Sequence, residues 1–169
     1  MVRTQPKETH MATRSAKDAC DLLDADHRKV QKMFKEYEEL TGSRARSAAQ
    51  KKMELARQIC MELTVHAQIE EEIFYPACRE TIKDTDLLDE ATVEHQTAKD
   101  LIAQIEQAGE ADEMFDAKVK VLGEYVDHHV REEENELFPK LRNASLDLQA
   151  MGARMVDRKK QLMAIPEPS

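Results

Sequence analysis

The sequence predicts an all-α fold: an up-down-up-down four-helix bundle with an additional C-terminal helix. Three observations point there. Turn and strand formers are scarce, since the 169 residues hold four glycines and five prolines and only 4% aromatics. Apolar residues recur every three or four positions along four long stretches and one shorter one. The connections between the stretches are short, and a short loop returns the chain antiparallel because it cannot carry it back to the same end.

Residues 1–15 lack apolar periodicity and read as a flexible N-terminal tail, since they cannot bury enough surface to offset the entropy of ordering. The bundle is predicted over residues 16–142. Its first helix, 16–40, carries Leu23, His27, Val30, Phe34 and Tyr37 on one stripe, and Gly42 is expected to close it in the left-handed conformation. The second, 45–79, carries Met53, Ala56, Ile59, Leu63, His66, Glu70 and Ile73. Pro76 has no amide hydrogen to donate, so it is expected to kink that helix or begin its end. The third, 86–108, turns Leu88, Ala91, His95, Ala98, Ile102 and Ile105 inward and stops at Gly109. The fourth, 111–142, carries Phe115, Leu122, Tyr125, Val126, His129, Glu133 and Leu137, with Pro139 near its end. A fifth helix over 145–164, with Leu148, Met151, Met155 and Leu162 on one face, is expected against the outside of the bundle.

Composition narrows the partners. The 34 acidic against 25 basic residues give a formal charge of −9, the wrong sign for binding a phosphate backbone, so nucleic acid is not an expected partner. No apolar run approaches the roughly 18 residues of a membrane helix, and the first residues carry no apolar stretch like that of a secretory leader. A soluble, cytoplasmic protein is expected. Cys20, Cys60 and Cys78 form no CxxC and read as reduced packing residues, and the nine methionines read as core filler.

An internal repeat is the most informative feature. His66-Ala-Gln-Ile-Glu70 with Pro76 matches His129-Val-Arg-Glu-Glu133 with Pro139 at a shift of 63 residues, and Asp26-His27 pairs more weakly with Glu94-His95. On a helix, residues i and i+4 point the same way with Cβ atoms about 6 Å apart, so each HxxxE supplies a nitrogen and an oxygen to one point. Glu70 and Glu133 stand where the stripe requires apolar residues. Burying an unpaired carboxylate costs several kcal/mol, so each needs a cation or a proton. His27 and His95 enter from the other two helices, which gives four imidazoles and two carboxylates in one layer. Such a set suits iron, manganese or zinc, and the absence of paired thiolates argues against a structural zinc knot.

The order H, HxxxE, H, HxxxE, with DH early, EH in the middle and a proline after each HxxxE, resembles the hemerythrin-like HHE cation-binding family over about residues 16–142. The resemblance implies a non-haem centre of two iron ions, oxo- or hydroxo-bridged, with His27, His66, Glu70, His95, His129 and Glu133 at the ligand positions. It implies a small diatomic or peroxide ligand: a protein that binds or senses oxygen, nitric oxide or peroxide. The alternatives are a di-iron enzyme with catalase-like or nitric oxide-reducing activity, or a metal storage or structural bundle.

Oxygen-carrying hemerythrins have a further histidine one turn after the third helix's histidine, and here that position is Lys99. Helix geometry puts Lys99, Gln31, Glu62 and Tyr125 in that layer. Tyr125 or Glu62 is then expected to cap the exposed metal, or water stands there and peroxide enters; the alternative is a Lys99–Glu62 salt bridge. Asp26 and Glu94 precede site histidines and can act as outer partners, yet neighbours on a helix diverge by about 100°, which favours solvent. By the same argument His128 is a non-ligand and the remaining glutamates of runs 70–72 and 132–134 are solvated. His10 lies in the predicted tail.

Overall fold

A computed structural model of the chain describes residues 17–83 and 85–164; the predicted N-terminal tail and His10 lie outside them. The elements are α1 (Ala19–Thr41), α2 (Ala48–Ile69), a π-turn (Glu70–Phe74), α3 (Tyr75–Thr81), α4 (Thr85–Gln107), α5 (Glu113–Glu132), a second π-turn (Glu133–Leu137), α6 (Phe138–Arg142) and α7 (Leu148–Ala164). No strand occurs among the described residues. The four long rods pack α1 on α2, α4 on α5, and each pair across the other, in the up-down-up-down order that the short connections dictate.

Local chemistry starts the rods where they start. Asp18 caps α1, accepting from the Asp21 amide while the Asp21 carboxylate returns to the Asp18 amide. Asp112 caps α5 by accepting from the Phe115 amide at 2.8 Å. Arg142, at the end of α6, bonds both Asp18 and Asp21 at 3.1 Å and so ties the last rod of the bundle to the first.

One expectation about helix ends is corrected, at Gly42, and the distortion expected at Pro76 takes the form of a widened turn, with the helix ending soon after at Thr81. Gly42 sits at φ −85°, ψ −6°, in the right-handed region, where it donates to the Leu40 carbonyl; the turn after α1 needs no left-handed residue. The turn before Pro76 widens, and the Tyr75 amide reaches back five residues to the Glu70 carbonyl. The same happens before Pro139, where the Phe138 amide reaches the Glu133 carbonyl. The extra residue in each turn makes room for the proline ring, so the helix passes through it.

Burial divides into two cores. One, with Leu23, Ile69, Phe74, Leu88, Leu137 and Leu141, also takes in Met151 and Met155 of α7. The other, with Tyr37, Ile59, Ile102, Phe115, Val119 and Leu122, fills the opposite end. Each buried large apolar side chain contributes about 1.5–3 kcal/mol relative to exposure, and these two cores hold the layer between them rigid. On every long rod the site histidine falls between a residue of one core and a residue of the other.

All three cysteines are buried free thiols. Cys20 and Cys78 belong to the first core, and burial, with nearby carboxylates, pushes both thiols up, Cys20 to about 12. The helix α7 lies across α1 and α2. It comes close because residue 152 is glycine: a Cβ there would stand 2.9 Å from the Lys17 carbonyl oxygen and 3.1 Å from the Ala19 nitrogen. No helix among the described residues is long and apolar enough to cross a membrane.

Candidate metal centre

The structure brings all six predicted side chains into one chamber between the two cores. His27, Glu70, His95 and Glu133 are buried, His66 is 9% exposed and His129 only slightly more. The donor atoms of Glu70, His95, His129 and Glu133 lie within 4.8 Å of one another, and so do those of His27, His66 and Glu133. The two carboxylates are central. Glu70 Oε1 lies 3.0 Å from His66 Nε2 and 3.3 Å from His95 Nε2; Glu133 reaches His129 Nε2 with one oxygen at 2.5 Å and His27 Nε2 with the other at 3.3 Å.

These approaches are close without being hydrogen bonds throughout. His27 Nε2, His66 Nε2, both Glu70 oxygens and Glu133 Oε2 are buried and have no hydrogen-bond partner. An unsatisfied buried polar atom costs about 1–3 kcal/mol, and a domain's whole stability is about 5–15 kcal/mol. Five such atoms gathered in one chamber call for positive charge among them.

What aims them is a ring of carboxylates behind the imidazoles. Asp26 Oδ2 lies 3.1 Å from His66 Nδ1, Glu94 Oε2 is 2.9 Å from His129 Nδ1, and Glu134 Oε1 is 3.2 Å from His27 Nδ1. Glu71 is held by Lys99 and stops 3.9 Å from His95 Nδ1, beyond hydrogen-bond reach, so that buried nitrogen has no hydrogen-bond partner. A carboxylate at Nδ1 draws the proton there and leaves the Nε2 lone pair facing the chamber. This corrects the expectation that Asp26, Glu94 and the neighbouring glutamates of the two runs are simply solvated. A neighbour that diverges by about 100° from its own histidine points along the seam to the next helix, where it meets that helix's histidine instead.

Within the chamber Glu70 and His66 favour each other's charged form. Burial opposes ionisation of both Glu70 and His66, but their mutual attraction overrides it. Glu70 is held well below the ordinary carboxylate range and His66 is pushed up to about 10. His129 is also raised, against its burial, by Glu133, Glu70 and Glu94.

One group escaped the sequence reading. The Tyr75 hydroxyl donates to Glu133 Oε1 at 2.6 Å and lies 3.0 Å from His129 Nε2 and 3.3 Å from His95 Nε2. Regular α spacing would turn Tyr75, five residues after Glu70, away from the chamber; the π-turn returns it to the Glu70 face. The signal was the tyrosine directly before Pro76. Its counterpart in the repeat is Phe138, whose ring stacks parallel to His27 with centroids 6.1 Å apart.

The residues predicted around the missing histidine are placed as follows. Tyr125, Glu62 and Lys99 line one cavity of about 60 Å³ against the four histidines, with apolar walls that include Val30 and Ile102. Tyr125 is 42% exposed there. Glu62 is buried and bonds Lys29 at 2.7 Å. The expected Lys99–Glu62 bridge does not form, because each finds a nearer partner on an adjacent rod. Gln31 turns outward to Asp127, 3.4 Å away. His128 is exposed and pairs with Glu132 at 3.0 Å, one turn along the same helix.

Comparison with known proteins agrees with this geometry. A DNA nickase of a Nostoc strain is 34% identical over 123 residues, 73% of this chain; the chain spans about a third of that relative's length. The crystal structure of a hemerythrin HHE cation binding domain-containing protein from Mycobacterium kansasii superposes with a TM-score of 0.70 at 20% identity, covering 86% of each chain, and so shares the fold. The profile of the hemerythrin HHE cation binding domain matches residues 18–141, the span that contains every side chain of the chamber, and the chain belongs to that family.

Proposed function

We propose that the chain is a non-haem dimetal protein that holds two iron ions between its two cores and binds or senses a small oxidant there, such as oxygen, nitric oxide or peroxide. The observation that carries the reading is the pair of donor groups, Glu70/His95/His129/Glu133 and His27/His66/Glu133, that share Glu133 and hold five buried polar atoms without a hydrogen-bond partner. His27 and His66 would hold one ion, His95 and His129 the other, with Glu70 and Glu133 between them. Tyr75 is an additional oxygen donor on the His95/His129 side, reaching it from the first core, across the histidine layer from Tyr125 and Glu62. The imidazole and carboxylate donor set favours iron, with manganese or zinc as the next fits.

When bound, the ions supply redox-active, Lewis-acidic positions for the oxidant. The chain supplies the rest. Asp26, Glu94 and Glu134 keep the lone pairs of His66, His129 and His27 aimed inward, and the Tyr75 hydroxyl holds a proton against Glu133 Oε1. The apolar walls of the cavity suit a small uncharged molecule. The same chamber serves a catalase-like or nitric oxide-reducing enzyme if the oxidant is turned over. The activity named for the Nostoc relative fits this chain less well, because a formal charge of −9 repels a phosphate backbone.

Metal analysis with an absorption spectrum tests the proposal. The expected result is two iron ions per chain and a charge-transfer absorption that changes when nitric oxide or peroxide is added. Glu133→Ala, which removes the carboxylate common to both groups of donors, should lose at least half of the metal while the helical circular dichroism persists. Folded wild-type protein that takes up neither iron, manganese nor zinc would sink the reading.

A further inference from the structure

The two halves of the centre are buttressed differently from outside. Behind His66, Asp26 places one oxygen on the imidazole at 3.1 Å and the other on Lys159 of α7 at 2.6 Å. Behind His129, Glu94 bonds the imidazole and faces Glu132 and His128 at the surface. The seat that delivers Lys159 is well made. Met151 and Met155 are buried, Gly152 admits the α1 backbone, and Arg158 grips Glu72 of the first π-turn at 2.7 and 3.1 Å.

We infer that Lys159 is a positioning residue: α7 carries its ammonium to Asp26, fixing the carboxylate that aims His66, so that cation binding in the His27/His66 half depends on α7 while the His95/His129 half does not. The inference rests on the dimetal reading above. A carboxylate bonded through one oxygen still turns about its broad terminal torsion, and a second bond removes that freedom. Outer partners of ligating imidazoles carry about 10–100-fold of metal affinity. The sign of the effect separates positioning from simple charge. Lys159 has the same charge as the ion, so if it acted through its field alone its removal would tighten binding. That repulsion crosses two side chains from a partly exposed site and is screened.

Anaerobic titration of the full-length chain with ferrous iron tests this. Lys159→Met should weaken one of the two bound ions by about tenfold and leave the other nearly unchanged, and Lys159→Arg should restore it. Asp26→Asn combined with Lys159→Met should bind no more weakly than Asp26→Asn alone, since the lysine acts through Asp26. Unchanged or tighter binding in Lys159→Met, equal weakening of both ions, or additive losses in the double variant would overturn the inference. A parallel measurement needs no metal: in the metal-free protein the ring signals of His66 should move in Lys159→Met and those of His129 should stay. If His66 does not move, the positioning role is wrong even where metal binds. If the wild type binds no metal, the dimetal reading fails and the ring signals still decide what Lys159 does.

Discussion

The first π-turn delivers Tyr75 into the chamber and the second delivers Phe138 at the equivalent place, although the two turns share their His-x-x-x-Glu start and their proline. The carboxylates behind the imidazoles follow the repeat in position: Asp26 answers Glu94, each bonded to the neighbouring rod's histidine, and Glu71 answers Glu134, although Glu134 bonds His27 while Glu71 stops 3.9 Å from His95. The repeat thus covers the scaffold that aims the donors, and the groups at its edge differ between the halves. One edge gained a phenol among the donors; the other gained a ring that only packs. A centre built from two hairpins with the same donor pattern thereby has two chemically distinct sides.

That contrast can be broken at its strongest point first. Iron-loaded wild-type protein is expected to show a phenolate-to-iron absorption band that disappears in Tyr75→Phe, the change that makes the two turns alike, and persists in Tyr125→Phe. The opposite pattern would return the role to Tyr125. The reciprocal Phe138→Tyr should add a second such band.

A smaller effect sharpens the comparison of the outer carboxylates. Glu94→Gln keeps the shape but weakens the pull on the His129 Nδ1 proton, and it should cost about 10–100-fold in affinity for one ion. Asp26→Asn should cost a similar factor for the other ion. Resolved two-step metal titrations of the two variants would show whether each carboxylate serves its own half.

The smallest effect lies away from the centre, where the repeat pairs Gly123 with the buried Cys60. A Cβ on Gly123 would stand 3.2 Å from the Phe34 ring. Replacing glycine by alanine inside a helix is worth about 1 kcal/mol, and moving Phe34 by a few tenths of an ångström offsets part of it. Gly123→Ala is expected to change the thermal midpoint by no more than a few degrees and to leave metal binding in both halves untouched.

The helical class, the long rods and the convergence of His27, His66, Glu70, His95, His129 and Glu133 were legible because a 3.6-residue period says which residues share a face. The same rule hid Tyr75. A single widened turn changes the register of everything after it, and the sequence marks that turn only by a proline that ordinarily signals a helix end. It also hid Asp26 and Glu94, since a period describes one helix at a time and these residues act on the next. Lys159 was further out of reach, because the seat of α7 depends on a glycine at 152 whose importance is a distance to another segment's backbone.

The thiols of Cys20 and Cys78 lie in the core that adjoins the chamber, with Glu133 and Glu70 among the charges that raise them. Sulfur reacts with oxidants as thiolate, a form these two residues scarcely populate at neutral pH. A bundle that admits peroxide to its centre would thus keep these two buried thiols chemically silent toward it.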